Sequence, residues 1–266
     1  MDNLETVKIG FFDSGIGGLS VLHCARKMIP NAHFIYYADE EHVPYGEKNP
    51  AEVKNFMTDI FQFMLKKNVD VIVIACNTAT SIVDQKFREM FAIPIIGMEP
   101  AVKKAIDLFD KERKRILVVA TPNTIEGVKF KNLVEQVDTN NKVDYLALPK
   151  LVYYAEKGDF DSQYVMDYLQ NELKSFCLES YGTIVLGCTH FNYFKECFQR
   201  ILHNEVHFID GNEGTVHQLI RRLPKFHNIN RNGSVEFFFS GKKNHKNERL
   251  INEKYMVQLN KVFDIN

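Results

Sequence analysis

Val71-Ile72-Val73-Ile74-Ala75-Cys76-Asn77-Thr78 is a β-branched apolar run that closes on a small residue, a cysteine and a polar pair. The same order returns in Thr183-Ile184-Val185-Leu186-Gly187-Cys188-Thr189-His190. A continuous apolar run of this length reads as a strand buried on both faces, as parallel strands are. After each cysteine a helical pattern opens. Each thiol is therefore expected at the end of a buried strand, beside helix N–H groups, a setting that lowers a thiol's pKa. One such cysteine suggests a nucleophile. A matched pair suggests two acid/base groups facing one substrate.

Outward from these runs, strand-like and amphipathic stretches alternate almost throughout. Strands are expected at 8–12, 33–37, 71–75, 93–96, 115–120, 143–148, 183–186, 207–209 and 235–239. Helical stretches between them include 51–67, 80–91, 99–109 and 160–177. Strict alternation of this kind implies α/β architecture with mainly parallel sheets covered by helices. The duplicated cysteine motif suggests two similar α/β units with the site in the cleft between them. The expected division is 1–97 with 209–266 for one, discontinuous unit and 98–208 for the other. Ligands of open α/β sheets bind beyond the carboxyl ends of the strands, where both cysteines fall.

The composition is that of an ordinary globular protein, 45% hydrophobic and 25% charged. A formal net charge of −1 argues against a nucleic-acid or anionic-membrane binder. The basic clusters at 111–115 and 242–246 read as solvated surface. No signal peptide is read at the start, and the most apolar segment is far too short to span a bilayer. Five cysteines without a C-x-x-C pair fit reduced thiols in a cytoplasm better than a disulfide framework. Cys24, Cys177 and Cys197 read as small buried hydrophobes.

Two further loops hold candidate chemistry. Phe11-Phe12-Asp13-Ser14-Gly15-Ile16-Gly17-Gly18-Leu19-Ser20 follows a strand and opens a helix. It reads either as a backbone N–H site for an anion or substrate, or as a turn capped by Asp13 or Ser14. Ser20 stands where a dinucleotide loop would want glycine. In Asp39-Glu40-Glu41-His42-Val43-Pro44-Tyr45-Gly46 the Pro-Tyr-Gly run reads as a turn, and His42 alone as a surface histidine. Asn77, Thr78, Thr189 and His190 could fix a small polar substrate between the sulfurs. Neither cysteine loop supplies the further ligands at short spacing that zinc needs. A cysteine hydrolase would use Cys188 with His190 as base and leave Cys76 idle. A two-lobed small-molecule binding module also fits. Two opposed thiols suit inversion at a carbon, one removing a proton while the other delivers one to the opposite face.

Phe12-Asp13-Ser14-Gly15-Ile16-Gly17-Gly18-Leu19, Pro44-Tyr45-Gly46, Ala75-Cys76-Asn77-Thr78-Ala79 and Gly187-Cys188-Thr189-His190 together closely resemble the glutamate racemases, a group of cofactor-independent amino-acid racemases. The resemblance implies two α/β domains around a substrate cleft, no pyridoxal phosphate or other cofactor and no metal, and commonly a homodimer. It makes Cys76 and Cys188 the catalytic acid/base pair, with Asp13 assisting Cys76 and His190 with Glu156 assisting Cys188. It makes Asp13, Ser14, Tyr45, Gly46, Asn77, Thr78, Thr189 and His190 the substrate-binding set. The implied activity is interconversion of L- and D-glutamate, supplying D-glutamate for peptidoglycan; aspartate or another amino acid is the alternative substrate. Two departures stand out. The chain has Asn192 where a proline is usual, and Gly127 where a serine often stands; Thr121 and Thr124 stay outside the expected site.

Overall fold

The computed structural model describes residues 7–109, 114–202, 206–223, 233–263 and 265. All nine expected strands are present: β1 Lys8–Asp13, β2 His33–Ala38, β3 Val71–Ile74, β4 Ile95–Ile96, β5 Arg115–Ala120, β6 Val143–Ala147, β7 Tyr181–Leu186, β8 His207–Ile209 and β9 Ser234–Phe239. They form two wholly parallel sheets, ordered β4-β3-β1-β2-β9 and β6-β5-β7-β8. The fold is therefore mixed α/β with two mainly parallel sheets, as the alternation implied. Ile209, at the expected boundary, pairs with Val185 in the second sheet.

The helices are α1 Leu19–Met28, α2 Pro50–Lys66, α3 Asn77–Ile82, α4 Gln85–Glu89, α5 Ala101–Phe109, α6 Pro122–Glu126, α7 Val128–Val137, α8 Lys150–Glu156, α9 Gln163–Leu173, α10 Lys195–Leu202, α11 Asn212–Arg222, α12 His245–Leu250 and α13 Met256–Val262. The helix expected over 80–91 is instead two. Val83 turns to an extended conformation, and the Asp84 side chain caps a new helix by accepting from the Phe87 N–H at 2.8 Å. Asp is among the residues that favour such a cap, which satisfies a donor the helix itself leaves free.

Side chains alternate across the first sheet. Phe11, Phe34 and Tyr36 enter one apolar cluster, whereas Phe12, Ile35 and Ile74 enter another under α2. Both faces are buried, which explains why these strands read as unbroken apolar runs. The first cluster does not stop at its own sheet. It continues through Leu151, Phe191 and Phe198 to Leu117 and Leu186 of the second sheet. Cys177 is exposed beyond the end of α9, contrary to the buried hydrophobe expected; Cys24 and Cys197 are buried as expected.

Candidate active site

Register places the two thiols equivalently. Phe12 pairs with Ile74 in the first sheet, and the Ala75 N–H continues that ladder onto the Phe12 carbonyl at 2.7 Å. Val119 pairs with Leu186 in the second, and Gly187 N–H continues onto the Val119 carbonyl at 2.8 Å. Cys76 and Cys188 each follow one residue later, both buried at the carboxyl ends of their strands. The first cysteine caps α3, its sulfur accepting from the Ala79 N–H at 3.4 Å. The second opens a 3-10 helix, Thr189–Phe194, before α10 begins.

The loop after β1 is the bridge between the halves. Asp13 is wholly buried; it accepts from the Gly15 N–H at 2.8 Å and from the Thr189 hydroxyl at 3.1 Å. The Ile16 N–H donates to Glu156 at 2.9 Å, and Tyr193 donates to the Ile16 carbonyl at 3.0 Å. Side chains on this loop would forbid the approach. A Cβ on Gly15 would lie 1.8 Å from a Glu156 oxygen, and one on Gly17 would lie 2.4 Å from His190 Nδ1. The loop carries no side-chain cap on α1, whose N-terminal flanking residue is Gly18, so Asp13 and Ser14 are free for other work.

On the Cys188 side, His190 Nδ1 lies 3.8 Å from the sulfur, and Nε2 lies 2.6 Å from Glu156 Oε1. Burial opposes charge on this ring, but Cys188 and Glu156 together hold its pKa well above the ordinary histidine value. On the Cys76 side the thiol donates to the Ser14 hydroxyl at 3.9 Å. Burial pushes that thiol well up, Asp13 adds to the effect, the Ala79 N–H opposes it, and the charge of Cys188 raises it again. The expectation that a helix start lowers this thiol's pKa is thus reversed. Desolvation disfavours the thiolate more than one N–H favours it. Burial also pushes the Asp13 carboxyl up to about 6, against the pull of His190.

Thr78, buried on α3, shares its hydroxyl with Thr121 at 2.9 Å and Thr124 at 3.4 Å. This places α6 of the other half against the Cys76 loop. Asn77 is partly buried at the start of α3. Tyr45 and Gly46 lie buried in a 3-10 turn packed on Thr121, with Tyr45 donating to Asp39. The same Asp39 accepts from His42 Nδ1 at 2.8 Å, while the His42 ring stacks on Phe56 at 3.8 Å. His42 is therefore a half-buried hydrogen-bond partner of Asp39 and not the surface histidine expected.

Every candidate residue thus falls in one contiguous region between the strand ends. Sequence reasoning left out Thr121 and Thr124, and it missed Asn123, Asp39 and Glu40. Asn123 donates to the Tyr45 and Lys48 carbonyls at 3.0 and 2.8 Å. Glu40 is half-buried, held by Asn247 at 2.8 Å, and its carboxyl is pushed up to about 7 by burial and by Glu156. Position at a strand's carboxyl end was the available signal for Thr121 and Asp39. Among the described residues no group of three or more His, Cys, Asp or Glu is arranged to hold a metal ion.

Two buried thiols, one near Asp13 and the other beside His190, occupy matching ends of two parallel sheets, and known proteins share the framework. A glutamate racemase of Campylobacter curvus is 48% identical over 265 residues, 97% of this chain and 100% of that protein. Glutamate racemase 2 of Bacillus subtilis is 46% identical over 97% of this chain and 96% of its own length. The crystal structure of glutamate racemase isoform RacE1 from Bacillus anthracis matches with TM-score 0.81 and 28% identity, covering 95% of this chain and 96% of that one. A family model described as Asp/Glu/Hydantoin racemase matches residues 20–219, a span that reaches from the glycine loop past both cysteine motifs. The chain belongs to the Asp/Glu/Hydantoin racemase family.

Proposed function

We propose that this protein interconverts L- and D-glutamate by proton transfer between Cys76 and Cys188. The observation that carries the reading is the matched placement of two buried thiols at the ends of β3 and β7, near enough that the charge of Cys188 acts on Cys76. The relatives named above support glutamate as the substrate.

The electrostatics of the two sides are opposite. His190 supplies a positive partner beside Cys188, and Asp13 a negative one beside Cys76. Burial and the Asp13 charge hold the proton on Cys76, which makes Cys76 the donor to carbon and the sulfur beside His190 the acceptor from it. Cys188 then takes the α-proton, and the electron pair left on carbon takes the Cys76 proton from the opposite face. The products are the inverted amino acid, a Cys188 thiol and a Cys76 thiolate. The reverse transfer handles the other enantiomer. Ser14, Thr78, Thr189 and Asn77 are the hydrogen-bonding groups around the reacting carbon, and donors set in place before reaction stabilise developing charge at low reorganisation cost. Asp13 and the Tyr45-Gly46 turn complete the binding set.

The same reading divides the chain into an α/β domain of 1–97 with 209–266 and a second of 98–208, closing over substrate. It makes the protein a homodimer in a cytoplasm that keeps its thiols reduced, supplying D-glutamate for peptidoglycan. No helix among the described residues is long and apolar enough to cross a membrane.

Incubation of each glutamate enantiomer in deuterated water, with chelator and no added cofactor, tests the chemistry. Deuterium should appear at the α-carbon of the product. Cys76→Ala and Cys188→Ala should each lose inversion by at least about 10³-fold, within the range for a lost acid or base. Substantial turnover by Cys76→Ala with an accumulating acyl-enzyme would favour the hydrolase reading. Faster inversion of aspartate than of glutamate, followed by circular dichroism, would replace the substrate.

A further inference from the structure

Strand β9 ends in a tight reversal, Phe239-Ser240-Gly241-Lys242. Phe239 and Lys242 exchange two backbone hydrogen bonds, at 2.8 and 3.0 Å, and both central residues have positive φ, 43° at Ser240 and 81° at Gly241. The first central position of such a turn suits Gly, Asn or Asp, the residues that take left-handed backbone at least cost. Serine there is strained. Strain that the surroundings hold in place leads to the question of what the side chain does.

Ser240 Oγ accepts from the Glu41 N–H at 3.0 Å and donates to Asp39 Oδ1 at 3.3 Å, partners 199 and 201 positions away in sequence. Asp39 is only 2% exposed; its carboxylate also accepts from His42 Nδ1 at 2.8 Å and from the Tyr45 hydroxyl. Resting on the function proposed above, we infer that Ser240 is a positioning residue for the Tyr45-Gly46 turn of the substrate site, acting through Asp39.

The carboxylate has two sides to hold. Tyr45 donates to Oδ2 and Ser240 to Oδ1, so the serine hydroxyl helps fix the plane that aims Oδ2 at Tyr45. The bond from the Glu41 N–H secures the backbone of the same segment, and Asn247 of α12 secures its Glu40 side chain at 2.8 Å. From the other half, Gly46 packs so closely on Thr121 that an added Cβ would lie 2.6 Å away. The Tyr45-Gly46 turn is thus seated from three directions, and Ser240 governs one of them. Its hydrogen bonds reach neither thiol, so its effect falls on substrate affinity and not on proton transfer.

Steady-state racemisation of both glutamate enantiomers, with thermal melting alongside, tests this in wild type, Ser240→Ala and Ser240→Gly. Both substitutions remove the hydroxyl, and only glycine also removes the strain, so Ser240→Gly should melt higher than Ser240→Ala. Both should raise KM about five- to tenfold, the range for one or two neutral hydrogen bonds. A kcat within about twofold of wild type is the mark of lost binding without lost chemistry. Tyr45→Phe should raise KM by a similar factor. The double variant Ser240→Ala/Tyr45→Phe should raise it no further than the larger single change, because both act on one carboxylate. An unchanged KM in Ser240→Gly, or a loss confined to kcat, would overturn the assignment. A double-variant penalty equal to the product of the single ones would overturn the route through Asp39. No racemisation of glutamate by the wild type would overturn the proposed function itself, and this inference with it.

Discussion

Asp13 carries the clearest conflict between stability and chemistry. A carboxyl raised from 3.8 to about 6 in the folded state binds protons that the unfolded chain has released. Between those two values stability therefore falls as pH rises, and above about 6 the loss is constant. Two units correspond to roughly 3 kcal/mol, taken as an upper figure. Asp13→Asn should thus melt higher than wild type at pH 8, with the advantage shrinking as pH falls toward 4, while racemisation drops. Parallel melting curves across that range check the sign; equal melting at pH 8 would contradict it. On the opposite face of the site, Glu156→Gln keeps an acceptor for the Ile16 N–H but removes the negative partner of His190. The expected result is a fall in kcat of about 10²-fold, at the low end for acid–base assistance, with little change in KM. A loss confined to KM would mean that Glu156 only holds the glycine loop.

At the scale of single elements, the break between α3 and α4 turns on one cap. Asp84→Ala removes the acceptor for the Phe87 N–H and the partner of Lys54 at 2.6 Å. A loss of about 1 kcal/mol is expected in chemical denaturation, nearly all of it from the cap, because the ion pair is exposed to solvent. The apolar periodicity over 80–91 did not reveal this break, since Val83 and Phe87 are buried in the same cluster on either side of it. Strands were more legible than helices. A strand buried on both faces writes itself as an unbroken apolar run, whereas helix ends depend on single capping residues. The His42–Asp39–Tyr45 contacts were invisible for a related reason: they depend on a turn whose shape no periodicity encodes.

For the whole molecule, the two sheets are joined by a shared core and by hydrogen bonds across the cleft. Asn123 makes two of these, to the carbonyls of Tyr45 and Lys48, and so anchors the Tyr45-Gly46 turn from the other half. Losing both should cost about 1–2 kcal/mol of that anchorage, given about 1 kcal/mol or less net for each. Asn123→Ala is accordingly expected to raise KM for glutamate some five- to thirtyfold with a smaller effect on kcat, measured by steady-state racemisation. An unchanged KM would separate the turn from substrate binding. The apolar cluster that continues from β1 through Phe191 to Leu186 joins the two sheets directly.

The order of strands and helices, the parallel sheets and the two thiols at strand ends were all written in local patterns. They follow from side-chain periodicity and β-branching, which act between near neighbours. What faces what was settled only by the folded chain. Glu156 meets His190 and the Ile16 N–H because α8 packs against the glycine loop, and Thr78 meets Thr121 because α6 packs against α3. The protonation preferences belong to that level too. The burial that pushes up Cys76 and Asp13 and the pairing that charges His190 depend on distances between residues far apart in sequence.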